Sequence, residues 1–191
     1  IKLPIKLRAI GNWQEALVEA IHQRAALEEL ARQEQDASGQ YLRPIVLLQA
    51  QPRSSKRETL TVEVLKEALQ KDFKIPESQI AIATGSQRGI EGKDLFDPDC
   101  EIRFILTVRA LAEGWDCSFA YILCSVAQIK SSTAVEQILG RVLRLPYARR
   151  QGQPELNQAY AFVTSDDFAG TAAALTDALI DNGFERYEAR E

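Results

Sequence analysis

The chain has 191 residues, 46% of them apolar, and a net charge of −4. That is enough to bury one good core, and an α/β domain is the default expectation. The charge excludes a generally basic nucleic-acid binder, so any such contact must come from local clusters. No run of 18 or more apolar residues is present, so no membrane partner is expected.

Ile1 to Ile10 alternates loosely between apolar and basic residues and reads as an extended leading segment. Asn12 can cap a helix, with Glu15 completing a capping box. Trp13, Leu17, Ala20, Ile21, Leu27 and Ala31 recur at helical spacing to about Gln35, and Ser38-Gly39 ends the run. His22, the single histidine, falls on this helix and is expected at the surface. Pro44 to Ala50 (PIVLLQA) reads as a parallel strand buried on both faces. Ser55 with Glu58 suggests a second capping box, leading a helix with Leu60, Val64, Leu65 and Leu69 on its apolar side. Gln79 to Thr84 is a second strand, with Gly85 at its end. Ile90 to Phe96 reads as one or two helical turns before the Asp97-Pro98-Asp99 turn.

Glu101 to Val108 and Phe119 to Val126 are the third and fourth strands. A helix is expected from Thr133, boxed with Glu136 and apolar nearly all round, hence buried. Tyr147 to Gln158 is a loop, Ala159 to Thr164 a fifth strand, and Asp166 to Asp181 a closing amphipathic helix. Strands alternating with helices imply a mostly parallel sheet covered on both faces. Ligands of such sheets bind outside the carboxyl ends of the strands. Gln49, Gln51, Thr84, Gly85, Thr107, Ser125 and Gln128 gather at those ends and suggest a working edge.

Cys100, Cys117 and Cys124 are odd in number and lack C-x-x-C spacing, which favours a reducing cytoplasm over disulfides or structural zinc. The chain contains no methionine, even at position 1, as expected of a piece of a longer protein. Glu113, Asp116, Asp97 and Asp99 lack histidine partners, so neither a metal site nor a nuclease centre is expected.

The most informative stretch is Gln137 to Arg144, QILGRVLR. On a continuing helix, Gln137, Arg141 and Arg144 fall within about 60° of one another. Two guanidiniums on one seam repel unless an anion faces them. Arginine is always charged and forked, and so suited to phosphate oxygens. The bland alternative is a solvated basic seam on an amphipathic helix.

The stretch resembles the Q-x-x-G-R-x-x-R motif in the second motor lobe of superfamily-two helicases and translocases. Other blocks follow in the family's order. Arg43 to Arg53 looks like the fourth motif, Ile82 to Gln87 is similar to the strand-and-glycine turn that touches nucleic acid, and Leu106 to Asp116 looks like the fifth. EGWDCSFAYILCS followed by EQILGRVLR is closest in wording to the restriction subunit of type III restriction enzymes. The resemblance covers roughly Pro44 to Thr164.

That resemblance implies a RecA-like three-layer lobe over residues 41–191, with residues 1–40 as a lead-in and connector helix from a first lobe. It makes Arg144 the arginine finger, places Arg141 on the terminal phosphate, and has Gln137 sense the phosphate or place the attacking water. Glu113, Gly114 and Asp116 would meet the nucleotide, Asp116 at the ribose hydroxyls. Thr107, Gly85, Gln51 and Arg53 would track the nucleic-acid backbone, with Lys56 and Arg57 nearby. The cofactors are ATP and Mg2+, held mainly by the first lobe. The partners are double-stranded DNA, the first lobe, and a modification or specificity subunit.

Thr107 lies seven residues before Gly114, one more than in the DEAD-box pattern. No Walker loop or D-E-x-[HD] motif is present: Gly92-Lys93 is followed by Asp94. The chain alone is therefore not expected to hydrolyse ATP. The rival readings are a stand-alone interaction module on a motor fold, and a lobe of an RNA helicase.

Overall fold

A computed structural model describes residues 1–109 and 116–181. Its centre is a six-stranded sheet in which every pairing is parallel. The strands are β1 (Ile5–Ala9), β2 (Ile45–Gln49), β3 (Ile80–Ile82), β4 (Phe104–Thr107), β5 (Ala120–Ser125) and β6 (Ala159–Val163), ordered β1-β6-β5-β2-β4-β3. The helices are α1 (Trp13–Ser38), α2 (Val62–Lys71), α3 (Ser132–Gly140) and α4 (Asp166–Asp181). The α/β class expected from the alternating pattern is thus observed.

Every residue of β2, β4, β5 and β6 is buried, because each strand has neighbours on both sides and is covered on both faces. The crossovers through α1 and α2 move one way across the sheet, and the one through α3 moves back. Right-handed connections therefore put α1 and α2 on one face and α3 on the other. In keeping with this, α1 packs on β2, β5 and β6, whereas α4 packs on α3, β1 and β6.

The start of α1 follows the sequence reading. The Asn12 side chain accepts from the Glu15 amide, and Gly39, at φ 74°, closes the helix by donating to the Gln35 carbonyl. Leu17 and Leu27 are fully buried on its inner face, each stabilising the fold by about 1.5–3 kcal/mol. His22 is exposed, as expected.

Several expectations need correction. Ile5–Ala9 is no mere lead-in: it pairs with β6 in register from Ile5↔Ala159 to Ala9↔Val163 and forms one edge of the sheet. The Ser55 box is a loop, and α2 is capped instead by Thr61, whose hydroxyl accepts from the Val64 amide. Val64, expected in the apolar stripe of α2, is 39% exposed, and Val62, Leu65, Ala68 and Leu69 form its buried face. Residues 90–96 form turns and no helix.

Candidate functional site

Two opposite edges of the sheet hold the predicted residues. At the carboxyl edge, the polar side chains are engaged with one another or with the backbone of neighbouring loops. Ser125 Oγ donates to Gln49 Oε1 at 2.8 Å, and Gln49 Nε2 donates to the Val108 carbonyl at 3.3 Å. Gln51 Nε2 donates to the Val126 carbonyl at 2.9 Å, and its Oε1 accepts from the Leu60 amide at 3.0 Å. These bonds fasten the loops after β2, β4 and β5 together. Thr107, expected to offer its hydroxyl to a nucleic-acid backbone, is buried, and that hydroxyl donates to the Arg109 carbonyl at 2.7 Å. Such a contact would need that hydrogen bond to break.

Gly85 is exposed at the tip beyond β3, where an added Cβ would meet nothing within 4 Å. Arg53 is exposed and pairs with Glu63 near the start of α2 at 2.8 Å. With Gln51, Lys56, Arg57 and Thr61 it lines an open groove at this edge.

The arginine stretch lies at the other end of the sheet. α3 starts after β5 and runs back, so its last turn reaches the amino edge, where β5 begins. Its cap is Ser131, whose hydroxyl accepts from the Ala134 amide, and not Thr133. Nor is the helix buried all round. Val135, Ile138 and Leu139 are buried, while Glu136, Gln137 and Gly140 face outward.

The expected single helical seam is also corrected, because α3 ends at Gly140. Arg141 caps it, with its N–H pointing at the Ile138 and Leu139 carbonyls, and Val142 and Leu143 close a tighter turn onto Leu139 and Gly140. Gln137 and Arg141 stay one turn apart on one side, but Arg144 has left the helix. Pro146 contributes to this: the residue before a proline is disfavoured in helical conformation, and Leu145 is extended at φ −72°, ψ 136°.

Arg144 Nη1 donates to Asp116 Oδ2 at 2.5 Å. The pair joins two of the predicted residues across 28 positions of sequence. The side chains are 67% and 46% exposed. An open guanidinium was expected, and this one already has a carboxylate partner. An ion pair this exposed is worth about 0–1 kcal/mol, so a multiply charged anion could displace it. Arg141 is half-buried beside the turn. Glu113 and Gly114 lie outside the described residues.

Behind this turn lies a residue that the sequence reading missed. Lys2 is completely buried, and its ammonium donates to the Ser118, Ala120 and Val142 carbonyls. Cys117, between Asp116 and those carbonyls, has its thiol pushed up to about 11 by burial, leaving it un-ionised and unreactive at neutral pH. Nearby, Phe119 is buried against the rings of Tyr41, Phe96 and Tyr147, of which Phe96 and Tyr147 remain partly exposed. Nothing in a lysine flanked by Ile1 and Leu3 signals burial, since its partners lie more than 110 positions away.

No protein-family profile matches the chain, and no curated protein matches its sequence. Among solved structures it is similar to a variant C-terminal domain of S. cerevisiae Dbp5 bound to a Gle1 variant and IP6. The identity is 13%, the match covers 95% of this chain and 86% of that one, and the TM-score is 0.47. Among the described residues, no group of three or more His, Cys, Asp or Glu side chains is placed to hold a metal ion, and no helix is long and apolar enough to cross a membrane.

Proposed function

We propose that this chain is the second motor lobe of an ATP-driven helicase or translocase, of the kind found in the restriction subunit of type III restriction enzymes. A nucleotide would bind at the amino edge of the sheet, facing a first lobe, and nucleic acid would follow the carboxyl edge. The observation that carries the reading is the meeting of Asp116 with Arg144. The blocks resembling the fifth and sixth helicase motifs are separate in sequence, and each supplies one member of that pair.

The residues fit a nucleotide in kind. Arg141 and Arg144 offer forked donors to phosphate oxygens. The Asp116 carboxylate accepts from ribose hydroxyls once Arg144 swings to the phosphates. With ATP in place, the available chemistry is phosphoryl transfer to water, and an arginine aimed at the transferring group stabilises its developing charge. This chain's part is to bind, orient and neutralise, while Mg2+ would be held by the first lobe. At the other edge, Gly85, Arg53, Lys56 and Arg57 would touch phosphates, contacts that position a strand without reading its sequence.

The second reading, an interaction module on a motor-like fold, draws on the same ion pair, since an arginine already partnered needs no nucleotide. The test is ATP turnover by the complete protein with and without nucleic acid, in parallel on double-stranded DNA and on RNA. Stimulation by DNA supports the motor reading in full, and stimulation by RNA alone moves it to an RNA helicase. A complete protein with no nucleic-acid-dependent turnover leaves the module.

A further inference from the structure

Lys2 Nζ lies 2.8 Å from the Ser118 carbonyl, 2.6 Å from that of Ala120 and 3.1 Å from that of Val142. It also sits 4.0 Å from the centroid of the Tyr121 ring. An ammonium has three N–H donors, and three carbonyls are present to take them. A neutral amine would leave one carbonyl facing a lone pair. Burial drives the Lys2 pKa well down, and the negative charge of Asp116 opposes it. The three acceptors and the negative ring face favour the charged form, which is the form this arrangement suits.

The acceptors belong to two segments. Ser118 and Ala120 follow Asp116 by two and four residues. Val142 precedes Arg144 by two, and the Leu143 carbonyl next to it accepts from the Lys2 main-chain N–H at 2.5 Å. A lysine serving only to anchor the start of β1 would need one of these segments. This one bridges both.

We propose that Lys2 is a positioning residue: by gripping both segments it sets the spacing between Asp116 and the turn that carries Arg141 and Arg144. It touches no ligand and acts through those residues. The inference rests on the reading of the amino edge as half of a nucleotide site.

Two experiments test it together on Lys2→Met and Lys2→Arg. In the 191-residue chain, amide exchange is followed residue by residue alongside a thermal melt. In K2M, exchange should quicken more than about ten-fold, the equivalent of about 1.4 kcal/mol of local opening, at 117–121 and 142–145 together, with β2 and β4 unchanged. Uniform quickening across the sheet, or quickening in one segment alone, overturns the bridging claim. If K2M does not fold, K2R, which keeps charge and donors in a different shape, carries the same readout.

In the complete motor, K2M should lower kcat about 100-fold with KM nearly constant, since a displacement of about 1 Å can have that effect on a catalytic group. K2R should recover part of the loss. An unchanged kcat, or a loss matching only the fraction unfolded, refutes the positioning role. A wild-type motor without nucleotide turnover would sink the nucleotide reading and the positioning role with it, whereas amide exchange would still report whether Lys2 couples the two segments.

Discussion

Replacing Arg144 with alanine separates a functional arginine from a structural one. Its partner, Asp116, is 46% exposed, and Arg144 itself is 67% exposed. Breaking the pair therefore leaves a hydrated carboxylate and no buried orphan, and the loss is at most about 1 kcal/mol. For a domain of this size that lowers the melting temperature by no more than about 4 °C. A buried pair broken on one side would cost about 3–5 kcal/mol, and hence about 6 °C or more. Turnover should respond on another scale. An arginine that stabilises a transferring phosphoryl group is worth about three to five orders of magnitude in rate. The assays are calorimetric melting of the 191-residue chain and nucleic-acid-stimulated ATP hydrolysis by the complete protein. A melting temperature lowered by more than 6 °C, or turnover within ten-fold of wild type, would refute the reasoning.

Three further outcomes follow from other contacts. Glu28 is desolvated, which alone would raise its pKa, but hydrogen bonds and charge from Arg24, with Arg32 and Arg103 helping, leave it below the usual carboxylate value. Its contribution to stability is therefore complete above an unfolded pKa of about 4.3 and is lost as pH falls through the lower folded value. Glu28→Gln should destabilise the chain at neutral pH, and the difference from wild type should vanish in acid; urea midpoints across pH would show a constant difference if the reasoning fails. Ser125→Ala removes the donor to Gln49 Oε1 within a buried pair and should lower stability by about 1–3 kcal/mol in urea with the slope unchanged; a loss under 0.5 would mean the loops are held otherwise. Arg53→Ala should weaken nucleic-acid binding by the complete protein and reduce the salt slope by about 0.7–0.9, and an unchanged slope would make Arg53 only the partner of Glu63.

Much of the sheet could be read in the sequence because a parallel strand buried on both faces is an unbroken apolar run, as in PIVLLQA and FAYILCSV. β1 was the exception. At the edge, with one neighbour, its IKLRA keeps only Ile5 buried and so lacks that signature. The cap residue was legible at Asn12, where a helix truly began, and capping boxes misled at Ser55 and Thr133, because four residues of S/T-x-x-E also occur by chance in loops and first turns. The arginine stretch was found but its shape was not. Helical periodicity carried Arg144 onto a seam that Gly140 and Pro146 interrupt. Gln49, Gln51, Thr107 and Ser125 were rightly placed at strand ends, yet their bonding to the neighbouring loops depends on strand order, which local pattern does not encode. Lys2 was hidden for the same reason, since its three acceptors come together only in the folded sheet.

The most direct test of the central claim is photolabelling of the complete protein, bound to nucleic acid, with an ATP analogue carrying the reactive group at its terminal phosphate. Peptide mapping should place label from this chain within 137–149, next to Arg141 and Arg144, and Arg144→Gln should reduce it. Label confined to the carboxyl-edge loops at 51–61 or 84–99, or absent from these 191 residues while the rest of the protein is labelled, would contradict the assignment of the amino edge to the nucleotide.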